Sequence, residues 1–343
     1  MNSRERVLTA FAYEEPDRVP MWCGASEEFW AKARQELSLD DEGLRLRFHD
    51  DFRRVYAKYT GPSLKQNSTI FGIERDGMGY GQPLNHPLAN ASLTQIHDYH
   101  WATHNHIDAS DIVKQANKFS KQYAILGGDW SPFWHDAIDL LGMETLLIKM
   151  YTEPQIVDAV LEHISDYYTN VNIRIFDIAA KSIDIFFIGN DFGSQTGPLV
   201  GEQLFRRFLL PHLKKLIDVG HSYKLKVMLH CCGGIFPLIP SMIEAGLDGL
   251  HALQPSCHGM DIAQIKAKFG KKIVLNGAID SHHILIDGTT DFVRTKTIET
   301  LKIMKPGGGY IGGASHDTIL EETPLENVLT MFDTILKNGT YKK

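Results

Sequence analysis

The chain alternates short apolar runs with segments of helical periodicity, and this alternation restricts its fold more than any other feature. The apolar runs lie at residues 123–127, 184–189, 226–230, 249–253, 272–276 and 309–313. The helical segments lie near residues 138–181, 201–222, 235–246, 260–269, 290–305 and 324–337. Strands that alternate with helices form βαβ units, and such units build a parallel sheet. The sequence therefore predicts an α/β protein.

The N-terminal part adds further elements to this count. The spacing of apolar residues predicts an amphipathic helix at residues 1–18, a strand at residues 19–24 and a second helix at residues 27–37. Residues 60–120 are rich in Gly, Asn, His and Pro, so we expect long loops or a small hairpin there. The strand count then approaches eight. We predict a closed (β/α)8 TIM barrel with an N-terminal helical and loop extension, in a single domain over residues 1–343.

Composition excludes several classes of function. Hydrophobic residues make up 43% of the chain and charged residues 22%, enough for a large core. The formal net charge of −7, with no basic stripe, argues against a nucleic-acid partner. No apolar run approaches the roughly 18 residues of a membrane span. Four cysteines do not make a disulfide scaffold, and the charged start is no signal peptide. We expect a cytoplasmic protein with thiols available for metal.

One apolar run ends in a histidine and two cysteines, followed by two glycines. His230 and Cys232 are two residues apart, so on a strand they project to the same side. Imidazole and thiolate placed there form half of a zinc site, whereas Cys231 points to the other side and packs. The alternative is that both are core residues, because cysteine is often buried and a histidine at a strand end can be a satisfied core group.

His316 is the candidate for a third zinc ligand, and it follows a glycine-rich run at residues 307–313. It would complete a His, Cys, His set for one Zn2+ per chain. Catalytic zinc keeps its fourth position open, here for substrate, water or Cys257. The alternative is that His316 acts as a general acid or donates a hydrogen bond to a carboxylate, with no metal present.

Polar side chains follow nearly every predicted strand. In a barrel these residues share one mouth, which is the usual place of an active site. Asp191 and Asp280 are candidates to orient a ligand or exchange a proton. Candidates for binding substrate are Asp129, Trp130, Asn190, Gln254 and Asn276.

Several motifs, in order, resemble the uroporphyrinogen decarboxylase superfamily over nearly the whole chain. They are Arg4-Glu5-Arg6-Val7-Leu8, Glu15-Pro16-Asp17-Arg18-Val19-Pro20, Asp191 to Leu199, Pro211-His212, His230-x-Cys232-Gly233, Gly277-x-Ile279-Asp280, and Gly308-Gly309-Tyr310 through His316 to Val328. The resemblance implies a (β/α)8 barrel that forms a homodimer. Ser194 and His316 match positions that decarboxylases of this superfamily use near the substrate, so both are catalytic candidates, and Gln195 of the same motif is a candidate for binding substrate.

The subfamily decides the chemistry. True decarboxylases carry an arginine-rich segment soon after the opening to bind substrate carboxylates, and residues 23–29 lack it. The His-x-Cys-Gly segment instead resembles the zinc-dependent, corrinoid-linked methyltransferases of this superfamily, although Ser315-His316 stands where their late cysteine belongs. The resemblance implies transfer of a methyl group between a small methylated (methoxy or similar) substrate and a separate corrinoid protein. The alternatives are uroporphyrinogen decarboxylation and a non-catalytic barrel that binds a tetrapyrrole or corrinoid.

Overall fold

A computed structural model describes residues 1–77 and 81–341. Its centre is a seven-stranded parallel sheet in which each strand pairs with the next one along the chain. The strands are β1 (Phe52–Arg54), β2 (Ala124–Gly127), β3 (Ile185–Gly189), β4 (Lys226–His230), β5 (Gly249–Leu253), β6 (Val274–Ile279) and β7 (Tyr310–Ala314). Repeated βαβ units produce this order, so the predicted parallel sheet is confirmed.

The segment around Met21 joins the two outer strands of the sheet. Met21 forms a parallel bridge with Gly312 of β7, and the Gly312 N–H donates to the Pro20 carbonyl oxygen at 2.8 Å. On the other side, the N–H of Asp51, next to β1, donates to the Met21 carbonyl oxygen at 2.9 Å. This segment takes the eighth position of the predicted barrel. The predicted strand at residues 19–24 is reduced to a bridge, and Pro20 has no N–H for a ladder.

Helices surround the barrel. They are α1 (Ser3–Phe11), α2 (Glu27–Leu37), α3 (Asp41–Arg47), α4 (Leu93–His97), α5 (Ile112–Asn117), α6 (Phe133–Leu141), α7 (Met143–Thr152), α8 (Pro154–Ala179), α9 (Glu202–Leu204), α10 (Leu210–Ser222), α11 (Ile239–Glu244), α12 (Ile262–Phe269), α13 (Thr290–Met304) and α14 (Leu325–Asn338). A π-helical turn, Phe205–Leu209, links α9 to α10.

One predicted helix ends earlier than expected, and another is divided into three. The helix predicted at residues 1–18 stops at Phe11, and Tyr13 takes a left-handed φ of 60°. The helix predicted at 138–181 belongs to three helices, α6 to α8. Gly142 breaks the run with a φ of 77°, and Pro154 opens α8 at the position where proline fits a helix.

Residues 60–77 and 81–120 contain the predicted long loops together with α4 and α5, and residues 78–80 of this prediction lie outside the described part of the chain. A two-residue antiparallel pairing, Lys58–Tyr59 with Ile107–Asp108, ties the two ends of this region together. Its two strands are far apart in the sequence, so it is not a hairpin. Isolated antiparallel bridges, Ser68 with Glu74 and Arg75 with Pro83, lie within the loops. The three-residue strand β1 was missed, since three residues are too few to show a period.

Alternate strand residues fill the inside of the barrel. The inward side chains form one buried cluster with Val7 and Phe11 of α1, and they include Phe52, Ala124, Leu126, Ile185, Phe187, Met228, Val274 and Ile311. Phe11 lies against Gly249 at the start of β5, so α1 covers the amino end of the barrel. Side chains on a strand alternate, and the inward position after Met228 is His230. The fold thus directs this imidazole into the opposite, carboxyl end.

Candidate active site

Three side chains with metal-binding atoms converge at the carboxyl ends of β3 and β4. The Sγ atom of Cys232 lies 3.2 Å from Nε2 of His230, side by side as their spacing predicts. Asp191 follows β3, and its Oδ1 lies 3.5 Å from the same nitrogen. One ligand atom from each of the three residues lies within 4.8 Å of the others. We call these three residues the Asp191–His230–Cys232 cluster.

The backbone turns sharply directly after Cys232. Gly233 has a φ of 93°, and a Cβ atom there would lie 2.5 Å from the carbonyl carbon of Gly193. The turn is held by two hydrogen bonds, from the Cys232 N–H to Asp191 Oδ1 at 2.7 Å and from the Gly233 N–H to Gln254 Oε1 at 2.6 Å. Only glycine combines this φ with this close approach, so the glycine is part of the His-x-Cys-Gly geometry.

His135 of α6 contacts the other oxygen of Asp191, with 3.3 Å between Nε2 and Oδ2. Burial raises the pKa of Asp191, but hydrogen bonds from His135 and, more weakly, from the Cys232 N–H oppose burial, and the pKa is held well below its usual range. Burial lowers the pKa of His135, and Asp191 reverses this effect and raises it. Asp191 is a carboxylate at neutral pH. Sequence reasoning missed His135, which lies on a helix and away from any strand end.

The two adjacent cysteines have different surroundings. Cys231 is buried, and its Sγ accepts a hydrogen bond from the Phe192 N–H at 3.3 Å, as expected for a packed residue. Cys232 is partly exposed. Burial and then the charge of Asp191 raise the pKa of the Cys232 thiol. A cation beside the sulfur would reverse this effect, because metal coordination deprotonates a thiol.

His251 is a second residue that sequence reasoning missed. It lies on β5, is fully buried, and its Nδ1 is 3.1 Å from Nδ1 of His230. Burial lowers the pKa of both imidazoles, which favours their neutral form. In the described parts of the chain, His251 Nε2 has no hydrogen-bond partner and lies 3.9 Å from Asp317 Oδ1. The sequence feature that could have identified His251 is a histidine inside an otherwise apolar strand.

Trp130 forms a wall of the site. Its ring centroid lies 5.3 Å from that of His230, with 37° between the ring planes. Gly189, the last residue of β3, leaves room for it, since a Cβ atom there would lie 2.0 Å from the indole. The guanidinium carbon of Arg54 lies 5.2 Å from the centre of the same ring. Trp130, predicted to bind substrate, therefore lies beside the cluster.

Three other residues predicted to bind substrate line neither of the two cavities that meet at the cluster. Asn190 is fully buried, and its amide donates to the Ser131 carbonyl oxygen at 3.0 Å and accepts the Trp134 N–H at 2.9 Å. Asn276 is fully buried inside the barrel. Asp129 accepts the Ser131 N–H at 2.8 Å, and burial raises its pKa. The structure corrects the prediction for Asn190 and Asn276, because protein atoms enclose both side chains.

His316 lies near the cluster but outside it. Its ring centroid is 6.1 Å from that of His230, and its Nδ1 accepts the Thr318 N–H at 3.0 Å. Within residues 1–77 and 81–341, no group of three ligand atoms lying within 4.8 Å of one another includes His316. Of the predicted set of His230, Cys232 and His316, the structure therefore brings only His230 and Cys232 together. The third residue beside them is Asp191.

Two cavities meet at the cluster, and His316 lines both. The first has a volume of about 640 Å³, and the predicted residues on its wall are Ser194, Gln195, Cys232, Gln254, Cys257, Asp280 and His316. No lysine or arginine is found on its described wall. The second has a volume of about 510 Å³ and contains Trp130, His135, Asp191 and His230. It also contains Arg54 and Arg75, of which Arg75 is paired with Asp139.

Two of the predicted catalytic residues have local hydrogen-bonding roles. Asp280 Oδ1 accepts the N–H groups of His282 and His283 at 2.9 and 2.7 Å, which caps the turn after β6. Ser194 Oγ donates to the Gly197 carbonyl oxygen at 2.9 Å. Both residues line the first cavity, where Asp280 still has its second carboxylate oxygen for a ligand.

Side chains with candidate metal-binding atoms lie at the carboxyl end of a barrel, which is where (β/α)8 enzymes have their active sites. Sequence comparison then gives the family. The chain belongs to the uroporphyrinogen decarboxylase family, because residues 80–337 match the family described as "Uroporphyrinogen decarboxylase (URO-D)". The superfamily resemblance is thereby confirmed.

Among relatives of known function, the chain is similar to methyltransferases. Methylcobamide:CoM methyltransferase MtbA of Methanosarcina mazei is 22% identical, over 98% of this chain and 98% of that protein. MtbA of Methanosarcina acetivorans is also 22% identical, over 60% of this chain, and the match spans 58% of that relative. MtaA of Methanosarcina barkeri is 24% identical over 65% of this chain and 60% of that relative. These matches support the methyltransferase branch of the superfamily.

Structural comparison shows the fold. A solved structure of a methyltransferase from Methanosarcina mazei superposes with a TM-score of 0.68 at 18% identity, and it covers 98% of this chain and 99% of that one. The (β/α)8 fold is thereby confirmed. None of the helices formed by the described residues combines the length and the apolar character that a membrane crossing needs.

Proposed function

We propose that this chain is a zinc-dependent methyltransferase that moves a methyl group between a small methylated substrate and a corrinoid carried by a separate protein. The observation that carries the proposal is the convergence of Asp191, His230 and Cys232 where two cavities meet. The relatives support it, since they are named methylcobamide:CoM methyltransferases. A homodimer belongs to the same proposal.

The donor atoms of the cluster suit zinc. One imidazole nitrogen, one sulfur and one carboxylate oxygen are all common zinc ligands, and His230, Cys232 and Asp191 would hold the ion. His316 lines the same cavities and is the alternative third ligand. When bound, zinc supplies a Lewis acid that polarises the atom carrying the methyl group.

The number of thiolates favours an oxygen substrate. The cluster contains one sulfur, Cys232, beside a nitrogen and an oxygen donor. A site with a single thiolate donates less electron density than one with two, so it is the stronger Lewis acid. This property suits a methoxy or similar compound, in which the oxygen must accept the bonding electrons. It suits the activation of a thiol less well.

The leaving atom also needs a proton, and the chain offers one nearby. The methyl–heteroatom bond breaks, the carbon bonds to the reduced corrinoid, and the heteroatom keeps the electron pair and takes a proton. His135 Nε2 lies 3.3 Å from the carboxylate of Asp191, which raises the pKa of His135, and both residues line the second cavity with His230. Asp191 thus both faces the candidate metal position and favours the protonated form of His135, the candidate proton donor. Asp280, whose Oδ1 caps a turn, is the second candidate for this role.

The charge of the cavities disfavours the decarboxylase alternative. A porphyrinogen with eight carboxylates needs cations in its cleft. The described wall of the larger cavity contains no lysine or arginine, and Arg75 in the second cavity is already paired with Asp139. Arg54 alone does not match such a substrate.

The test uses cob(I)alamin as the corrinoid probe under anaerobic conditions. We expect a panel of methoxy compounds to include one that converts it to methylcobalamin, seen by its absorption spectrum. Cys232→Ser is expected to abolish this conversion, whereas Cys231→Ser retains it. Uroporphyrinogen is expected to give no coproporphyrinogen above background. Efficient decarboxylation without any methylation of cob(I)alamin would overturn the proposal.

A further inference from the structure

His251 is fixed inside the barrel by aromatic side chains. The residue is fully buried on β5, and its ring centroid lies 5.1 Å from that of Trp22 and 5.5 Å from that of Phe187. The ring of His230 lies 5.1 Å away on the neighbouring strand β4. His251 therefore has a defined orientation toward His230. Neither the family match nor the cluster assigns it a role.

The contact between the two histidines restricts where their protons can be. Their Nδ1 atoms are 3.1 Å apart, a hydrogen-bond distance, so one nitrogen donates and the other accepts. A neutral imidazole carries one proton, on one of its two nitrogens. His230 Nε2 faces Cys232 Sγ and Asp191 Oδ1, and a metal ligand must present a lone pair there. The proton of His230 then sits on Nδ1 and is donated to His251.

We propose that His251 is a positioning residue for the metal ligand His230. His251 Nδ1 accepts the hydrogen bond from His230 Nδ1–H, which selects the tautomer whose Nε2 faces the Asp191–His230–Cys232 cluster. This role rests on the proposed function for the metal, but the tautomer of His230 exists without it. Partners of this kind orient metal-binding histidines and raise their basicity.

Asp317 extends the same line of groups. With Nδ1 accepting, the proton of His251 is on Nε2, and the Oδ1 atom of Asp317 is 3.9 Å away. His251 Nε2 has no other hydrogen-bond partner in the described regions, and Asp317 lines the second cavity. The order of groups is then Asp317, His251, His230 and the metal position.

A second ion between His230, His251 and Asp317 is the competing arrangement, since their ligand atoms also lie within 4.8 Å of one another. It would require both nitrogens of His230 to be without protons at the same time. A neutral imidazole cannot provide this if the first cluster is also filled. We therefore favour the hydrogen bond, and metal stoichiometry distinguishes the two.

The test compares His251→Asn with His251→Leu in the full chain. The Oδ1 atom of asparagine occupies nearly the place of histidine Nδ1 and accepts the same hydrogen bond, whereas leucine fills the space and accepts none. We expect zinc affinity, measured by chelator competition, to fall about 10- to 100-fold in His251→Leu. In His251→Asn we expect it to change by no more than a few-fold. Thermal unfolding of the metal-free proteins controls for folding.

Nitrogen NMR of histidine-labelled, metal-free protein gives the second readout. The expected result is the Nδ1–H tautomer of His230 in the wild type and in His251→Asn, with loss of this preference in His251→Leu. An Nε2–H tautomer in the wild type overturns the proposal, whether or not zinc binds. Equal zinc affinity in all three proteins also overturns the proposal. So does a wild type that binds two ions per chain, if both variants lose one of them. Absence of zinc from a wild type with the expected tautomer contradicts the proposed function instead.

Discussion

The Sγ atom of Cys232 lies 3.2 Å from Nε2 of His230, and one residue separates the two at the end of β4. With zinc–sulfur and zinc–nitrogen bonds of about 2.3 and 2.0 Å, a tetrahedral ion holds its sulfur and nitrogen ligands about 3.5 Å apart. The two atoms therefore need to separate by only a few tenths of an ångström to bind one ion. Strand geometry therefore places the two atoms close to the separation that a single zinc ion needs.

Replacing Gly189 with alanine tests the support that Trp130 gives to this arrangement. A Cβ atom at Gly189 would lie 2.0 Å from the indole, so the ring must leave its place beside His230. We expect Gly189→Ala to lower the free energy of unfolding by about 1–3 kcal/mol, measured in urea, as overpacking does. Gly201→Ala is the control, because a Cβ atom there meets nothing within 4 Å. Equal stability of the two variants would contradict the close packing.

Asp191→Asn tests the carboxylate of the cluster. Asparagine can still accept the Cys232 N–H through its oxygen, but it carries no charge toward the metal position or toward His135. We expect zinc affinity, measured by chelator competition, to fall about 10- to 100-fold. Asp287→Asn, which changes a carboxylate beside two exposed histidines, should leave the affinity unchanged. A loss of affinity in Asp287→Asn, with none in Asp191→Asn, would assign zinc to those exposed histidines instead.

His316 can be tested by exchanging its donor atom. If His316 moves in to bind zinc, His316→Cys should keep the metal, since thiolate binds zinc at least as well as imidazole. His316→Ala should then weaken zinc binding sharply, because a catalytic site has only three protein ligands. Zinc content of the wild type and both variants is the measurement. Equal zinc in all three would leave Asp191 as the third ligand and remove His316 from the metal site.

Local periodicity was enough to predict the barrel and the proximity of two of the three residues in the Asp191–His230–Cys232 cluster. His230 and Cys232 lie at the end of a complete apolar strand, so their shared side follows from the two-residue period of a strand. Asp191 also follows a strand directly, and it lies next to them because β3 and β4 are neighbours in the sheet. Such contacts follow once the order of the strands is known.

Other parts of the site depend on packing that no local pattern records. His135 reaches Asp191 from a helix, and His251 meets His230 only because β4 and β5 are in register at these two residues. Asn190 follows a strand as closely as Asp191 does, yet its side chain turns inward to bond Ser131. The direction of a side chain in the residues after a strand depends on loop conformation, which the strand period does not fix.

Stability should fall with rising pH because of Asp136. This residue of α6 is buried and accepts the Tyr168 hydroxyl at 2.6 Å, and burial raises its pKa to about 7. In the unfolded chain this carboxyl releases its proton near pH 4, whereas in the folded protein it keeps the proton up to about pH 7. The contribution of the protonated group to the free energy of unfolding is therefore full below about pH 4 and is lost as the pH rises through about 7. We expect Asp136→Asn to gain stability relative to the wild type over this window, by an amount on the order of 4 kcal/mol at most.

Urea unfolding of both proteins at about pH 5 and about pH 7.5 measures this effect. Asp287→Asn, at an exposed position, controls for a general change in surface charge. A stability difference between Asp136→Asn and the wild type that does not depend on pH would show that Asp136 titrates normally.

The zinc content of purified protein tests the central claim most directly. The wild type should hold about one zinc per chain, the stoichiometry of a single catalytic site. Cys231→Ser should retain this zinc, because Cys231 is packed against the Phe192 N–H and is not part of the cluster. Cys232→Ser should lose it. A Cys232→Ser protein that keeps one zinc per chain, or a wild type that binds none when zinc is supplied, would contradict the account.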